Sequence, residues 1–336
     1  MAKRAKAKQK SSGNKAWWIV LASLMSVLAV CLFVVAGVAQ YYFGGLETTK
    51  LTKDPEALGI SADATHDDQI INIALFGVDS RTTAIRGRSD AVIILTVDKR
   101  HGKIKMTSVL RDSSIVIDGR GEDKIAHAYA YGQAELAIKT LNQNFNLNIS
   151  EYVSVNFSSL AHIIDEVGGL DIEITERERQ EINRLIQLPT SGYYGLGLDR
   201  TLVRDTGLVH LNGTQALTYA RIRKIDSDNK RAERQQIVLD KLFQKAKSMS
   251  KSEYPDLIRT ILPMLETSLS YSDIIGMSSI LLTDGLSIEK LTIPDKSIEG
   301  INLRSGYDSN GRWVWKYDYA VATKAIDEFI YEGSNH

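Results

Sequence analysis

Residues 70–112 read IINIALFGVDSRTTAIRGRSDAVIILTVDKRHGKIKMTSVLRD, and the fold turns on this stretch. Three apolar runs, 70–78, 91–97 and 104–110, are short, rich in β-branched residues and bounded by Gly, Asp or basic residues. That pattern predicts three strands. The second and third are joined by 98–103, a connection containing Gly102, so they should pair as an antiparallel hairpin. The start of the second and the end of the third then share one sheet edge. Asp90 stands just before that start and Arg111 just after that end. The first run finishes at Gly77-Val78-Asp79, and an eleven-residue loop carrying Arg81, Arg86 and Arg88 returns the chain to Asp90. Any one of these residues alone reads as a turn former or a solvated loop charge. Together, two carboxylates with several arginines suit a divalent cation holding a phosphate, whose oxygens the metal and the guanidinium groups neutralise.

A second basic cluster, NGTQALTYARIRKIDSDNKRAERQQ, occupies 212–236. Asn212-Gly213 reads as a turn and 214–220 as a short helix, with Arg221 and Arg223 where it ends. A longer helix should begin near Asp228, its inward stripe being Val238, Leu239, Leu242, Phe243 and Ala246. Counting back along that stripe reaches Gln235, Arg234 and then Arg231, so cations continue the buried side at the positive end of the helix. An anion site is the expectation. The plainer alternative is a solvated basic face whose stems lie over the core.

Between the clusters, 115–117 reads as a strand, 133–144 as a helix, 152–157 as a strand, and 160–167 as a helix stopped by Gly168-Gly169. A strand at 170–174 and a charged helix at 176–187 follow. His127 reads as a packing residue, whereas the Lys124 ammonium could reach an anion. Beyond 250 the pattern gives helices at 258–269, 271–282 and 317–331, and strands at 288–293 and around Trp313 and Trp315. The fold class is therefore α/β with α+β character, a central mixed β-sheet layered with helices.

At 336 residues and 43% apolar content the chain can bury a sizeable core. Its formal charge is zero, but residues 1–15 carry six basic residues and no acid. The remainder is net −6, with 35 basic against 41 acidic residues, which argues against nucleic acid as a partner. The 23 residues from 17 to 39 carry no charge and would span about 35 Å as a helix, enough to cross a bilayer. Trp17-Trp18 and Tyr41-Tyr42 stand at its ends, where interfacial aromatics belong. The run is longer than the core of a cleaved signal peptide, its closest rival. The expected organisation is a cytoplasmic tail at 1–16, a single transmembrane helix at 17–43, a linker at 44–69, an outer catalytic domain at 70–250 and an extension at 251–336 packed on that domain. The basic tail places the N-terminus inside and the large domain outside the cell membrane. The only cysteine, Cys31, falls in the span, so the outer domain folds without disulfides. No GxSxG, Walker A or HExxH motif occurs.

Taken with the basic tail and single span, the stretches GVDSR (77–81), RSD (88–90), SVLRDS (108–113), KIAHAYAYG (124–132), DEVGGLDI (165–172), LNGTQALTYARIRK (211–224) and RAERQQ (231–236) resemble the LytR–CpsA–Psr family of wall-polymer transferases. The resemblance implies transfer of a glycopolymer, of teichoic acid or capsule type, from a polyprenyl-pyrophosphate carrier onto a peptidoglycan acceptor. It implies Mg²⁺ (or Mn²⁺) held by Asp79 and Asp90 beside the pyrophosphate, these two and Arg111 being the catalytic residues. It further implies that Arg111, Arg221, Arg223, Arg231 and Gln235 grip the pyrophosphate oxygens, with Arg81, Arg88 and Lys124 as additional candidates, and that a hydrophobic tunnel takes the lipid. No side-chain nucleophile is needed, since phosphoryl transfer rests on positioning and charge stabilisation. Two other functions remain open at this point: a pyrophosphatase using water as acceptor, and a non-catalytic lipid-binding envelope protein.

Overall fold

The structure, a computed structural model, describes residues 51–80, 85–188, 198–250, 253–270, 273–274, 276–277 and 286–332. The transmembrane span expected at 17–43, Arg81 and most of the helix expected at 271–282 lie outside these residues. Among the described residues no helix is long and apolar enough to cross a membrane.

The three opening runs form β1 (Ile70–Val78), β2 (Ser89–Asp98) and β3 (Lys103–Val109). A separate hairpin follows, β4 (Ser114–Ile117) and β5 (Gly121–Lys124). The three strands are joined in one sheet by β6 (Glu151–Asn156), β9 (Glu266–Thr267) and β10 (Ser287–Ile293), in the order β10-β3-β2-β1-β6-β9. β2 runs antiparallel to both β1 and β3, with Ile73 opposite Leu95 and Ile94 opposite Thr107. β1 pairs parallel with β6, and β3 parallel with β10, so the sheet is mixed. The C-terminal ends of β1, β3, β6 and β10 therefore meet at the edge where β2 begins, a common place for ligands in such sheets.

Both sheet faces are covered, which is why the strands read as continuous apolar runs. Alternation along β1 sends Ala74, Phe76 and Val78 to one face and Ile73 and Leu75 to the other. The first face packs on α1 (Ile125–Phe145), which buries Ile138 and Leu141. It also packs on α7, the closing helix at Tyr319–Ile330, which buries Ile326 and Ile330. Against the second lies α5 (Asp228–Ser248), through Leu239 and Phe243. A smaller core gathers α2 (Phe157–Glu166), β7 (Leu170–Ile174), α3 (Glu176–Gln187), β8 (Gly207–Leu211) and α4 (Gly213–Ala220) beside α5. Close contact of α2 with α4 requires Gly213, where a Cβ would come within 1.9 Å of the Ala161 carbonyl oxygen.

Four sequence expectations change. The helix expected at 133–144 starts at Ile125 and bends at Gly132-Gln133, where Gln133 takes φ 53°. Alternation in IAHAYAYG hid its first turns. The helix expected at 258–269 divides into α6 (Tyr254–Ile261), a 3₁₀ turn at Leu262–Met264 and β9. Pro263 explains the break, since it has no N–H to donate and its ring crowds the preceding turn. Residues 51–69, expected as linker, pack on the first face: Leu58 is fully buried and its carbonyl accepts from Asn142 Nδ2. Segment 251–336, expected as an extension, supplies both edge strands of the sheet.

Candidate functional site

One residue out of step assembles the site. Gly77 pairs with Ala91, but the next residue, Val78, pairs with Ser89, leaving Asp90 as the extra residue of a β-bulge. A regular strand would send Asp90 to the face opposite Ala91; the bulge re-aims it. Asp90, Ala91 and Ile93 all line one cavity of about 480 Å³ on the second sheet face. Leu75, Phe76 and Gly77 of the adjoining β1 and Asp79 just after it line the cavity too, with Leu75, Gly77 and Asp79 at the period-2 spacing of one strand face. Asp79 is held by a backbone hydrogen bond from its N–H to the Arg88 carbonyl, 2.9 Å. The turn between them needs Gly87, with φ 141° and space for a Cβ only 2.6 Å from the Asp79 carbonyl oxygen.

Two chemically different regions share this cavity. One region, opened by the exposed Arg88 and Arg223 and here called the mouth, is polar and has Asp79, Asp90, Arg88, Arg111, Arg221, Arg223, Arg231 and Gln235. The rest of the wall is largely apolar and includes Val153 of β6, Leu160 and Ile163 of α2, Val238 and Leu242 of α5, and Leu265 after α6. Sequence reasoning missed this lining because lining and core residues have the same composition. The stripe of α5 was read as core, and part of it is cavity wall.

The mouth is a network of charges. Arg111 Nη1 pairs with Asp90 Oδ1, and its Nε lies 3.7 Å from Asp112. Asp112, 4% exposed, accepts from Lys124 Nζ at 2.7 Å and has Arg223 Nη2 at 3.8 Å. Burial works against its ionisation, but the Lys124 hydrogen bond and the Arg111 and Arg223 charges win and hold the carboxyl below its ordinary value. Lys124 therefore reaches a carboxylate behind the mouth and is not part of the cavity lining. Asp112 received no role from the sequence; its place directly after Arg111 was the available signal.

Arg231, at 4% exposure, has Asp228 3.6 Å from Nη2 and, among the described residues, no hydrogen-bond partner for Nε or Nη1. Burial pushes its pKa down, the Asp228 charge opposes that, and the Arg223 charge adds to it. A buried guanidinium with unpaired donors is costly unless a ligand completes it. Arg221 stacks over Phe157, 4.3 Å from guanidinium carbon to ring centre. Arg234, the other arginine of the inward stripe, is spent on structure: Nε donates to Glu178 at 2.8 Å, and Nη2 pairs with Asp226. His127 pairs with Asp123 at 2.8 Å and lies off the cavity.

Asp79 and Asp90 offer hard oxygen donors to the same cavity as Arg111. Mg²⁺ takes one or two carboxylates together with substrate phosphate oxygens, so the donor set fits such an ion.

The chain is similar to known proteins along most of its length. It is 28% identical over 328 residues to the Bacillus subtilis (strain 168) polyisoprenyl-teichoic acid–peptidoglycan teichoic acid transferase TagT, covering 94% of each chain. It is 30% identical over 271 residues to the corresponding transferase TagU of Enterococcus faecalis, covering 78% of this chain and 82% of that one. A solved structure of TagT bound to LI-WTA superposes with TM-score 0.65 at 25% identity, covering 84% of this chain and 99% of that one. A family model matches residues 40–332, and the chain belongs to the LytR_cpsA_psr family.

Proposed function

We propose that the protein is a glycopolymer phosphotransferase that moves a teichoic-acid-type polymer from a polyprenyl-pyrophosphate carrier to a peptidoglycan hydroxyl. One observation carries the reading: an arginine-rich mouth and an apolar interior belong to the same cavity. A ligand filling both is anionic at one end and hydrocarbon at the other, which describes a polyprenyl pyrophosphate. The relatives named as teichoic acid transferases support the same reading.

In this assignment the lipid enters between the sheet and helices α2 and α5, and Arg111, Arg221, Arg223 and Arg231 grip the pyrophosphate oxygens. Gln235 adds an uncharged donor. The acceptor oxygen attacks the phosphorus next to the sugar, the anhydride bond breaks, and polyprenyl phosphate leaves along the cavity. The acceptor hydroxyl loses its proton and a phosphodiester remains. Asp79 and Asp90 would hold Mg²⁺ or Mn²⁺, and a bound ion would neutralise phosphate charge. Arg111 is positioned from behind by Asp112, which also gathers Lys124 and Arg223. With residues 17–43 as membrane anchor, the tail at 1–16 lies inside, and the cavity opens outside where both lipid carrier and wall acceptor are found.

The test uses full-length protein in detergent with a labelled polyprenyl-pyrophosphate oligosaccharide, with and without glycan acceptor. The expected result is polyprenyl phosphate released only with acceptor, together with labelled acceptor. Equal release without acceptor would make the protein a pyrophosphatase, and tight binding without turnover would make it a lipid-binding protein.

A further inference from the structure

Next to Asp112, and outside the cavity lining, lies a hairpin of β11 (Arg304–Tyr307) and β12 (Trp313–Lys316). It is joined to the site through the backbone: Trp315 N–H donates to the Asp112 carbonyl at 2.9 Å, and Trp315 bridges Ser113. Tyr307 pairs directly with Trp313, and Trp315 follows two residues on, so all three share one hairpin face. The Trp313 and Trp315 rings are 4.8 Å apart at 72°. Tyr307 is 68% exposed and Trp313 36%. Arg312, beside Trp313, donates from Nη1 to one oxygen of the buried Asp123 at 2.8 Å and from Nε to Asp308 at 2.7 Å, and its Nη2 forms an ion pair with the other Asp123 oxygen. Tyr131, 41% exposed, donates to the same Asp123 at 2.8 Å.

The row is thus an aromatic surface that starts beside the backbone of Asp112, where Trp315 is half-buried, and runs to the exposed Trp313 and Tyr307. Tyr307 and Trp313 leave two rings in water side by side on one hairpin face, a surface that a partner would explain. The electron-rich ring face attracts polarised C–H groups, and a pyranose presents a face of such bonds. We propose that Tyr307, Trp313 and Trp315 form the platform on which the acceptor glycan strand lies during transfer. The proposal rests on the transferase reading. In-line displacement brings the nucleophile in opposite the leaving group. Polyprenyl phosphate leaves into the cavity, which none of these rings lines. The row instead starts beside the residue that follows Arg111, so a strand lying on it reaches the arginines from outside the lipid path. A donor glycan on the row is the rival arrangement.

The test compares full-length wild type with Trp313→Ala, Tyr307→Ala and Trp313→Phe, varying donor and uncrosslinked glycan-strand acceptor separately. Each alanine variant should raise the acceptor KM about tenfold and leave donor KM and kcat at saturating acceptor within about twofold. Trp313→Phe should recover most of the loss. A rise in donor KM, or no change in either constant, overturns the proposal. A calorimetric titration of peptide-free glycan oligosaccharide into the same proteins, without donor, separates its failure from that of the transferase reading. Binding by wild type that Trp313→Ala abolishes supports the platform even if no transfer is seen. Absence of binding by wild type overturns it even if transfer proceeds.

Discussion

Arg231 Nη2 lies 3.6 Å from the carboxylate of Asp228, one helical turn earlier, while Nε and Nη1 of the same buried guanidinium have no hydrogen-bond partner among the described residues. Such an arrangement costs folding energy and is explained by a ligand that completes it. Arg231→Met keeps an apolar stem reaching as far as Nε and removes the charged guanidinium. Activity should fall about 100-fold or more, the usual consequence of deleting one charge-stabilising donor. Thermal stability of the ligand-free protein should hold or rise. Steady-state kinetics and a thermal melt check the pair of outcomes. Lost activity accompanied by a large drop in stability would make Arg231 a structural residue.

Asp112 links stability to pH with a definite sign. Its folded pKa lies below the ordinary 3.8, so ionised Asp112 stabilises the fold above about pH 4, and that contribution is lost as pH falls through the folded value. Asp112→Asn should destabilise the protein at pH 7 by about 1–3 kcal/mol, since Lys124 loses a charge-assisted hydrogen bond. The penalty should shrink on acidification, because the wild type then loses the same interaction. Denaturant unfolding at pH 7 and below pH 4 measures both. A penalty that stays constant across that range would sink the assignment.

The sequence made the polar half of the site legible and concealed the other half, for identifiable reasons. Asp79, Asp90 and Arg111 could be brought together because strand periodicity and one hairpin define a sheet edge. The bulge at Asp90 was not legible, since a one-residue slip leaves no mark on an apolar run. Leu160 and Val153 wall a cavity, yet no composition distinguishes a wall from a core. Arg234 looked like a partner for Arg231, but its carboxylate Glu178 stands 56 residues away, beyond any local pattern. The strand β9 was hidden within an apolar, helix-like stretch, and only Pro263 marked where that stretch would break.

Metal removal tests the carboxylate pair. Asp90 is already paired with Arg111 in the structure, so its charge has a positioning use apart from any ion. Asp79 lines the same cavity, and no ion pair to its carboxylate is found among the described residues. Chelation should therefore abolish transfer, and added Mg²⁺ should restore it. Asp79→Asn should raise the Mg²⁺ concentration needed for half-maximal rate by about tenfold or more, leaving the melt unchanged. Asp90→Asn should lose activity even at saturating Mg²⁺, because it also frees Arg111. Full activity of the chelated wild type would remove the metal from the reaction.

The apolar wall gives the most direct test of the donor. Leu242 of α5 and Leu160 of α2 both line the cavity, from opposite elements, and neither carries charge or hydrogen-bonding groups. Leu160→Trp should fill part of the ~480 Å³ and leave the arginine mouth in place. Lipid length then becomes the variable. Donors on a long polyprenyl chain should show a KM raised about tenfold or more, since each buried methylene contributes about 0.8 kcal/mol. Donors on a short prenyl chain, which do not reach the wall, should be turned over as by wild type. Overpacking alone would lower stability and slow both donors together. Selective loss of the long chain is the outcome that only a lipid-holding cavity produces, and equal loss of both would detach the cavity from the substrate.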